Sequence, residues 1–434
     1  MYKNMLKNGK MRLVSLLGAI AIVFFILWGC GDGTSSYDAV STGPVLTRTA
    51  TASIGAADLK GWMDQGLVNA AAGEKVVILD LKDTATYDAG HIPGALRVDN
   101  AEIMLTRLEG VAEFPSMVTD GPHMDAIIQR SGIDAHTTIV FTSTSLVNAC
   151  RMYSTFRYWG FPKSQLKVLN GVGTAWKTAG YTIDQLITPK ITPSTYCVTP
   201  GGVNRVQAQL RASLGEMMDL VKNYDGTKHV IIDTLHAPGY AGTPGSTTGL
   251  FPFAVSTTKE YVVFEGYMNN AVMLPQSTLY SANAFYPADD GNPASLKSKF
   301  NAVGMDETKT AYVHCRAGNA ASIAFFALDG ILNWKTVWYD GSWGQWGQMA
   351  DIKGGLLKAG SIWSTYPLNT SVNYNKDSGL TIQSYPYYKY LDDIFTSVTD
   401  PRANQIEKAD TEYKSPLSSS SSGSPVGGSS GGGC

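Results

Sequence analysis

One cysteine of the sequence lies in a setting that favours chemistry at sulfur. Cys315 follows the β-branched and aromatic run 310–313 and precedes an apolar stretch at helical spacing, so we expect it to open a strand-loop-helix turn. The small residues Ala317, Gly318 and Ala320 let successive backbone amides point inward where that helix begins. Such a ring of donors favours a thiolate and an anion beside it.

The alternative is a structural cysteine, because free cysteine packs readily as a small hydrophobic residue. Arg316 and Gly318 are poor core residues, however, and they favour a reactive Cys315. We therefore predict a nucleophile at Cys315. The predicted cradle for its substrate consists of Arg316, Ala317, Gly318, Asn319 and Ala320.

Two enzyme families carry loops of this kind. Residues 314–322 resemble the cysteine-phosphatase pattern His-Cys-x-Ala-Gly-x-x-Arg-Ser/Thr, but Ala321 stands where that family has its phosphate-binding arginine. Without a guanidinium there, a phosphate dianion lacks its bidentate partner. The second family is the rhodaneses, sulfurtransferases whose shorter Cys-Arg-x-Gly-x-x loop is similar to residues 315–320.

Two further segments favour the resemblance to rhodaneses. Residues 339–346 are similar to the Tyr-Asp-Gly-Ser-Trp-x-x-Trp segment that follows the active-site helix in tandem-domain rhodaneses. Residues 88–95 resemble the Gly-His-Ile-Pro-Gly-Ala signature near the start of a rhodanese domain. The resemblance implies an α/β protein with two doubly wound domains, each a central parallel sheet flanked by helices. Alternating buried strands and helices in both halves agree with this fold class.

The resemblance also implies one silent and one catalytic domain. In the first half, the place of the cysteine after the strand ending at Phe141 holds Thr142, and a hydroxyl has too high a pKa to replace a thiolate. Cys150 falls in the following helix, where we expect it to pack in the core. We expect His91 to have a structural role, capping a turn before Pro93.

The second half departs from the family in its substrate-binding residues. The usual Asp-x-Arg after its first strand reads Asp233-Thr234-Leu235-His236, so His236 replaces the arginine only when it is protonated. Residues 266–271 stand where the Gly-His-Ile-x-Gly-Ala signature is expected and match it only in part. The loop resembles that of thiosulfate users in Arg316 but has Ala317 in place of lysine, which implies weak thiosulfate activity.

The chain of 434 residues divides into seven segments. We predict a lipoprotein signal peptide (1–30), a tether (31–52), an inactive first domain (53–186), a linker (187–203), a catalytic second domain (204–349), an irregular C-terminal extension (350–414) and a Ser/Gly-rich tail ending in cysteine (415–434). A basic start, an apolar run and Leu-Trp-Gly-Cys resemble a lipobox, which implies lipidation of Cys30. An uncleaved membrane anchor is the alternative. We therefore predict that the protein is exported and anchored in a membrane as a lipoprotein, with the outer membrane favoured over the inner membrane.

Composition limits the partners. The net charge of −2, with 44% hydrophobic and 16% charged residues, indicates a globular protein without a basic stripe, so no nucleic acid is expected. No metal or cofactor is predicted, and the lack of Cys-x-x-Cys-His argues against covalent haem.

The predicted function is transfer of a sulfane sulfur through a persulfide on Cys315. The donor is thiosulfate or a related small anionic sulfur or selenium compound, and the acceptor is cyanide or a thiol. Cys434, on the flexible tail, is a hypothetical acceptor thiol, and a disulfide between Cys150 and Cys197 is left open. Two alternatives remain: a non-catalytic scaffold, or a lipoprotein for selenite or tellurite handling with electron-transfer partner proteins.

Overall fold

The computed structural model describes most of the two predicted domains. The described residues are 46, 51–71, 73–110, 113–235, 267–268, 270–348, 365–366 and 401–416. Several predictions fall outside them, namely the signal peptide with Cys30, most of the tether, His236, most of the C-terminal extension, and Cys434.

The first domain is built on a five-stranded sheet in the order β1-β7-β6-β2-β3, with every pair parallel. Its strands are mostly continuous apolar runs because helices cover both faces of the sheet. Its elements are β1 (Ser53–Ile54), α1 (Ala56–Asp64), β2 (Lys75–Leu81), α2 (Thr84–Ala89), β3 (Leu96–Val98), α3 (Asn100–Ile103), β4 (Met104–Leu108), β5 (Glu113–Val118), α4 (Gly121–Arg130), β6 (Thr137–Ser143), α5 (Leu146–Tyr158), β7 (Leu166–Leu169) and α6 (Val172–Thr178). Strands β4 and β5 form a separate antiparallel hairpin.

The second domain repeats this plan around a four-stranded parallel sheet in the order β10-β8-β13-β14. The remaining elements are α7 (Leu214–Lys222), β8 (His229–Asp233), β9 (Tyr267–Met268), β10 (Ala271–Met273), β11 (Tyr280–Ser281), β12 (Ala284–Phe285), α8 (Leu296–Ala302), β13 (Thr310–His314), α9 (Ala321–Phe326), β14 (Thr336–Trp338), α10 (Ser342–Gln348), β15 (Thr365–Tyr366) and α11 (Gln405–Glu412). A π-helical turn, Ala327–Leu332, continues α9. The predicted α/β fold class is confirmed.

Strand register corrects one detail of the sequence comparison. Asp80, the penultimate residue of β2, pairs with Thr142, and its counterpart Asp233 at the end of β8 pairs with His314. Ser143, not Thr142, therefore occupies the place of Cys315 in the first domain. The Ser143 hydroxyl is buried and donates to the Leu81 carbonyl at 2.7 Å. The first domain still lacks a thiol at this position.

The two domains pack through the helices that follow their central strands, α5 and α9. The rings of Tyr153 and Phe326 meet edge to face with centroids 4.7 Å apart. Beyond α9, Arg157 Nε donates to Asp329 Oδ2 at 2.9 Å. The helix after Cys315 is thus held by the first domain as well as by its own sheet.

Part of the C-terminal extension is regular, although the sequence predicts an irregular segment. Helix α11 places Asp410 against the β4–β5 hairpin, where Arg107 Nη2 approaches Asp410 Oδ1 at 2.7 Å. The Tyr158 hydroxyl donates to Asp410 Oδ2 at 3.0 Å. This helix therefore ties the end of the chain to the first domain.

The structural roles predicted for two residues are confirmed. His91 is buried, with Nδ1 2.9 Å from the Tyr87 carbonyl oxygen and its ring stacked on that of Tyr87. Cys150 is a free thiol within the core, where burial raises its pKa well above the ordinary value. Cys197 is disulfide-bonded, so the pairing of Cys150 with Cys197 that the sequence left open does not form. None of the helices in the described ranges is long and apolar enough to span a bilayer.

Candidate active site

Cys315 leaves the carboxyl end of β13, a central strand of its sheet, as the sequence predicts. The amide and hydroxyl of Thr234 both donate to the His314 carbonyl at 2.9 Å and fix the strand end. The Cys315 side chain is 3% exposed and contacts the main hydrophobic core. The loop is more buried than Arg316 and Gly318 led us to expect, since both are themselves buried.

The hydroxyl of Ser342 organises the loop. It accepts hydrogen bonds from the amides of Cys315 at 3.1 Å and Gly318 at 2.9 Å. It donates to the Tyr339 carbonyl at 2.8 Å and lies 4.0 Å from the sulfur of Cys315. The Gly318 amide is therefore bonded to a side chain from a neighbouring segment and not to the sulfur.

Ser342 adopts a backbone conformation that places its hydroxyl in the loop. Its φ is +51°, which costs a residue with a side chain about 1–3 kcal/mol. The amides of Trp343 and Gly344 donate to the carbonyls of Cys315 and Arg316 at 3.0 and 2.8 Å. The motif at residues 339–346 thus packs directly on the loop at residues 315–320, the nucleophile loop.

Gly318 is fitted closely against the same segment. Its φ is +75°, and a Cβ at this position would lie 2.5 Å from the Asp340 carbonyl oxygen and 2.7 Å from its Cα. Trp338 Nε1 donates to the Gly318 carbonyl at 2.9 Å. Only glycine combines this φ with this close approach.

The β4–β5 hairpin of the first domain covers the motif at residues 339–346. The Val118 amide donates to Asp340 Oδ2 at 2.7 Å, and Gln345 Nε2 donates to the Glu109 carbonyl at 3.1 Å. Phe114 packs so closely on Gly344 that a Cβ there would lie 2.4 Å from its ring. The first domain therefore contributes to the wall of the site.

A buried ion cluster joins the domains behind the loop. Arg211 donates to Glu109 Oε2 at 2.9 Å and to Asp340 Oδ1 at 2.8 Å. Burial opposes its charge, but the carboxylates of Asp340 and Glu109 outweigh burial and raise the pKa of Arg211 well above the ordinary value. These two carboxylates require a cation between them.

A second arginine reaches the site from the first domain. Arg151 of α5 is fully buried, and its Nη2 donates to the Ser116 carbonyl at 2.6 Å. Its guanidinium carbon lies 4.3 Å from the centroid of the Trp338 ring. Neither Arg151 nor Ser342 is predicted as a site residue from the sequence. Ser342 is part of the motif at residues 339–346, whereas the only signal for Arg151 is a charge within an apolar helix.

The other predicted site residues are placed as follows. Ala317 is buried, whereas Asn319 and Ala320 are half-buried at the end of the loop. The Asn319 carbonyl accepts a hydrogen bond from the Ser322 hydroxyl at 2.6 Å. In the part of the chain that the structure describes, no group of His, Cys, Asp and Glu is arranged to hold a metal ion.

Two clefts are lined by other surfaces of the molecule. One, of about 760 Å³, lies among α7, β13 and α11 and includes Glu216, His229 and Glu407. The other, of about 480 Å³, includes Lys163 and Trp334. Cys315 lines neither cleft, so we do not assign them to its chemistry.

Comparisons with known proteins point to one kind of domain. Residues 58–179, within the first domain, match the rhodanese-like domain. The thiosulfate sulfurtransferase of Corynebacterium glutamicum is 27% identical over 280 residues, which are 63% of this chain and 82% of that protein. The sulfur carrier protein TtuD of Thermus thermophilus is 21% identical over 283 residues, 64% and 90% of the two chains.

Solved structures share the fold. The anaerobic ergothioneine biosynthesis enzyme from Chlorobium limicola, in complex with trimethyl histidine, aligns with a TM-score of 0.53 at 16% identity. The alignment covers 68% of each chain. At this identity the likeness concerns the architecture alone.

Proposed function

We propose that this chain, which carries a rhodanese-like domain and is similar to thiosulfate sulfurtransferases over both of its α/β units, is a sulfurtransferase that acts through Cys315. The observation that carries the proposal is the position of the thiol. Cys315 sits directly after a central parallel strand, in a loop whose amides at Cys315 and Gly318 both donate to the Ser342 hydroxyl. In open parallel sheets, ligands bind at the carboxyl ends of the strands.

The proposed reaction is a double displacement at sulfur. The thiolate of Cys315 attacks the outer sulfur of thiosulfate or a related small donor, an S–S bond forms, and the donor's own S–S bond breaks so that sulfite leaves with its electron pair. Cyanide or a thiol then attacks the outer sulfur of the persulfide, and the thiolate of Cys315 is released. Arg316 in the loop neutralises the charge of the donor and of the leaving sulfite.

The enclosure of the sulfur favours a small donor over a bulky one, since Cys315 is 3% exposed. The proposal also includes export as a membrane-anchored lipoprotein lipidated at Cys30. That part rests on the sequence alone, as do the selenium donors, the electron-transfer partner proteins and the acceptor role of Cys434.

The test is a cyanide-dependent thiocyanate assay with thiosulfate on the full chain. Cys315→Ser should lower thiocyanate formation roughly a thousandfold or more, because a hydroxyl cannot act as the sulfur nucleophile. Mass spectrometry of the thiosulfate-treated wild type should find one extra sulfur atom on the peptide that contains Cys315.

Cys150→Ala is the matched control, because Cys150 is the other free thiol of the described residues and is packed in α5. This variant should keep its activity while it remains folded. Undiminished activity in folded Cys315→Ser, or a folded wild type that forms neither thiocyanate nor a persulfide, would overturn the proposed function.

A further inference from the structure

We propose that Arg151, contributed by the silent first domain, is the cation that holds negative charge on the sulfur of Cys315. It acts as a positioning residue, for the thiolate before the reaction and for the persulfide anion after it. This inference rests on the proposed function and explains why a catalytic domain retains an inactive partner.

Arg151 is fixed beside the loop by three contacts. Nη2 donates to the Ser116 carbonyl at 2.6 Å, and the guanidinium lies 4.3 Å from the Trp338 ring centroid. The same Trp338 donates to the Gly318 carbonyl at 2.9 Å. A Cβ at Gly318 would lie 3.0 Å from Arg151 Nη1, so the charged group touches the nucleophile loop.

Part of the Arg151 guanidinium is without an acceptor. Nε and Nη1 are buried and have no hydrogen-bond partner among the described residues. The neighbouring carboxylate of Asp340 is already used, because Oδ1 accepts from Arg211 and Oδ2 from the Val118 amide. A buried guanidinium with unused donors is stabilised by an anion placed beside it.

The charges around Arg151 agree with this role. Burial lowers its pKa to about 10, while the Asp340 carboxylate and the Cys315 thiolate favour its charged form. Arg151 therefore remains a cation at neutral pH. Asp340 is the stronger of the two anionic neighbours, but Arg211 compensates its charge, which leaves the sulfur as the uncompensated anion.

Other charged and titratable groups also lie around the loop. They are Arg316 within the loop, His314 before it, and Asp340, Arg211 and Glu109 behind it. Arg211 is committed to two carboxylates. Arg316 is a buried cation of the loop itself, and Arg151 is the cation that the first domain brings into contact with the loop at Gly318.

The test follows the thiolate itself. Ultraviolet absorbance is recorded as a function of pH for each protein and for the same protein carrying Cys315→Ser. The difference between the two curves is the absorbance of the Cys315 thiolate. Arg151→Met should shift the midpoint of this titration upward by about one pH unit or more, the usual effect of losing a neighbouring opposite charge. Inactivation by iodoacetamide at neutral pH should slow about tenfold as the thiolate population falls.

Arg157→Met is the matched control. Arg157 lies on the same helix and also pairs across the domain interface, but its partner is Asp329. Its loss should leave the midpoint unchanged. Arg151→Gln is a second neutral variant that keeps a donor for the Ser116 carbonyl, in case the methionine variant does not fold.

The outcomes separate this inference from the proposed function. An unchanged midpoint in a folded neutral variant at Arg151 overturns the inference, even where thiocyanate formation proves the transferase. A shifted midpoint in a protein that forms no persulfide supports the coupling of Arg151 to Cys315 and rejects the transferase activity alone.

Discussion

Gly318 shows how little space the nucleophile loop leaves for any change. A Cβ at this position would lie 2.5 Å from the Asp340 carbonyl oxygen and 3.0 Å from Nη1 of Arg151. A hydroxyl from Ser342 accepts the Gly318 amide proton at 2.9 Å. The geometry of the loop therefore depends on the absence of a side chain at this one position.

Gly318→Ala should disrupt the loop and lower transferase activity at least tenfold. The added Cβ would need a φ of +75° and would lie 2.5 Å from the Asp340 carbonyl oxygen, an atom that cannot move without shifting the segment after β14. The left-handed conformation alone costs about 1–2 kcal/mol, and the overlap adds to it. Thiocyanate formation and urea unfolding would measure the two effects.

Gly304→Ala separates conformation from overlap. Gly304 has a similar φ of +81°, but a Cβ there would meet nothing within 4 Å. We expect a loss of about 1 kcal/mol and normal activity. Equal effects of the two variants would mean that close packing around Gly318 is unimportant.

At the scale of elements, the strand end decides which domain has a nucleophile loop. Strand β6 continues through Ser143, whose hydroxyl is bonded to β2, whereas β13 ends at His314 and Cys315 begins a loop. A strand that continues uses its amides in the sheet. The first domain therefore lacks a thiol at the end of this strand.

Asp134 holds the connection between α4 and β6 to the start of β2. Its Oδ2 is 2.8 Å from Lys75 Nζ, and its Oδ1 accepts from the Thr137 hydroxyl and the His136 amide. Burial raises the pKa of Asp134, but Lys75 and these hydrogen bonds outweigh burial and lower it below the ordinary value. The ionised form is the one that the fold stabilises.

Asp134→Asn should therefore lower stability at neutral pH by about 1 kcal/mol. For a carboxyl with a lowered folded-state pKa, the stabilisation is present above the unfolded-state pKa of about 4 and is lost as the pH falls through the folded-state value. The difference between wild type and variant should accordingly shrink in acid. Urea unfolding at a series of pH values measures it, and a difference that grows below pH 4 would contradict the assigned sign.

At the scale of the whole molecule, buried charges join the two domains. Arg211 bridges Glu109 of the first domain to Asp340 of the second, and its side chain is 1% exposed. Arg107 holds Asp410 of the C-terminal helix in the same region. Buried ion pairs thus connect the β4–β5 hairpin of the first domain both to the segment that packs on the Cys315 loop and to the C-terminal helix.

Arg211→Met should lower the free energy of unfolding by about 3–5 kcal/mol, because it leaves two buried carboxylates without their cation. Urea unfolding followed by tryptophan fluorescence measures the loss. Arg130→Met is the control, since Arg130 and Glu102 form a pair whose side chains are 40% and 27% exposed. The control should lose no more than about 1 kcal/mol. Similar losses in both variants would show that the buried cluster does not hold the domains together.

The sequence by itself determined the fold class, the two-domain plan and the candidate nucleophile. Buried strands, amphipathic helices and the loop at Cys315 are local patterns, so residues close together in the chain are sufficient to predict them. The same patterns indicated that the first domain is silent. They placed Thr142 where the cysteine would be, which is wrong, because the assignment of Ser143 to that position depends on strand pairing.

Only the tertiary structure decided what surrounds the sulfur. Arg151 and Trp338 belong to different domains, and Ser342 lies 27 residues beyond Cys315, yet all three meet at the same loop. No sequence spacing specifies such contacts, because they arise when two sheets bury their helices against each other and bring distant residues together. The burial of Cys315 also depends on contacts distant in the chain, since Ser342 and Trp343 fold back on its loop.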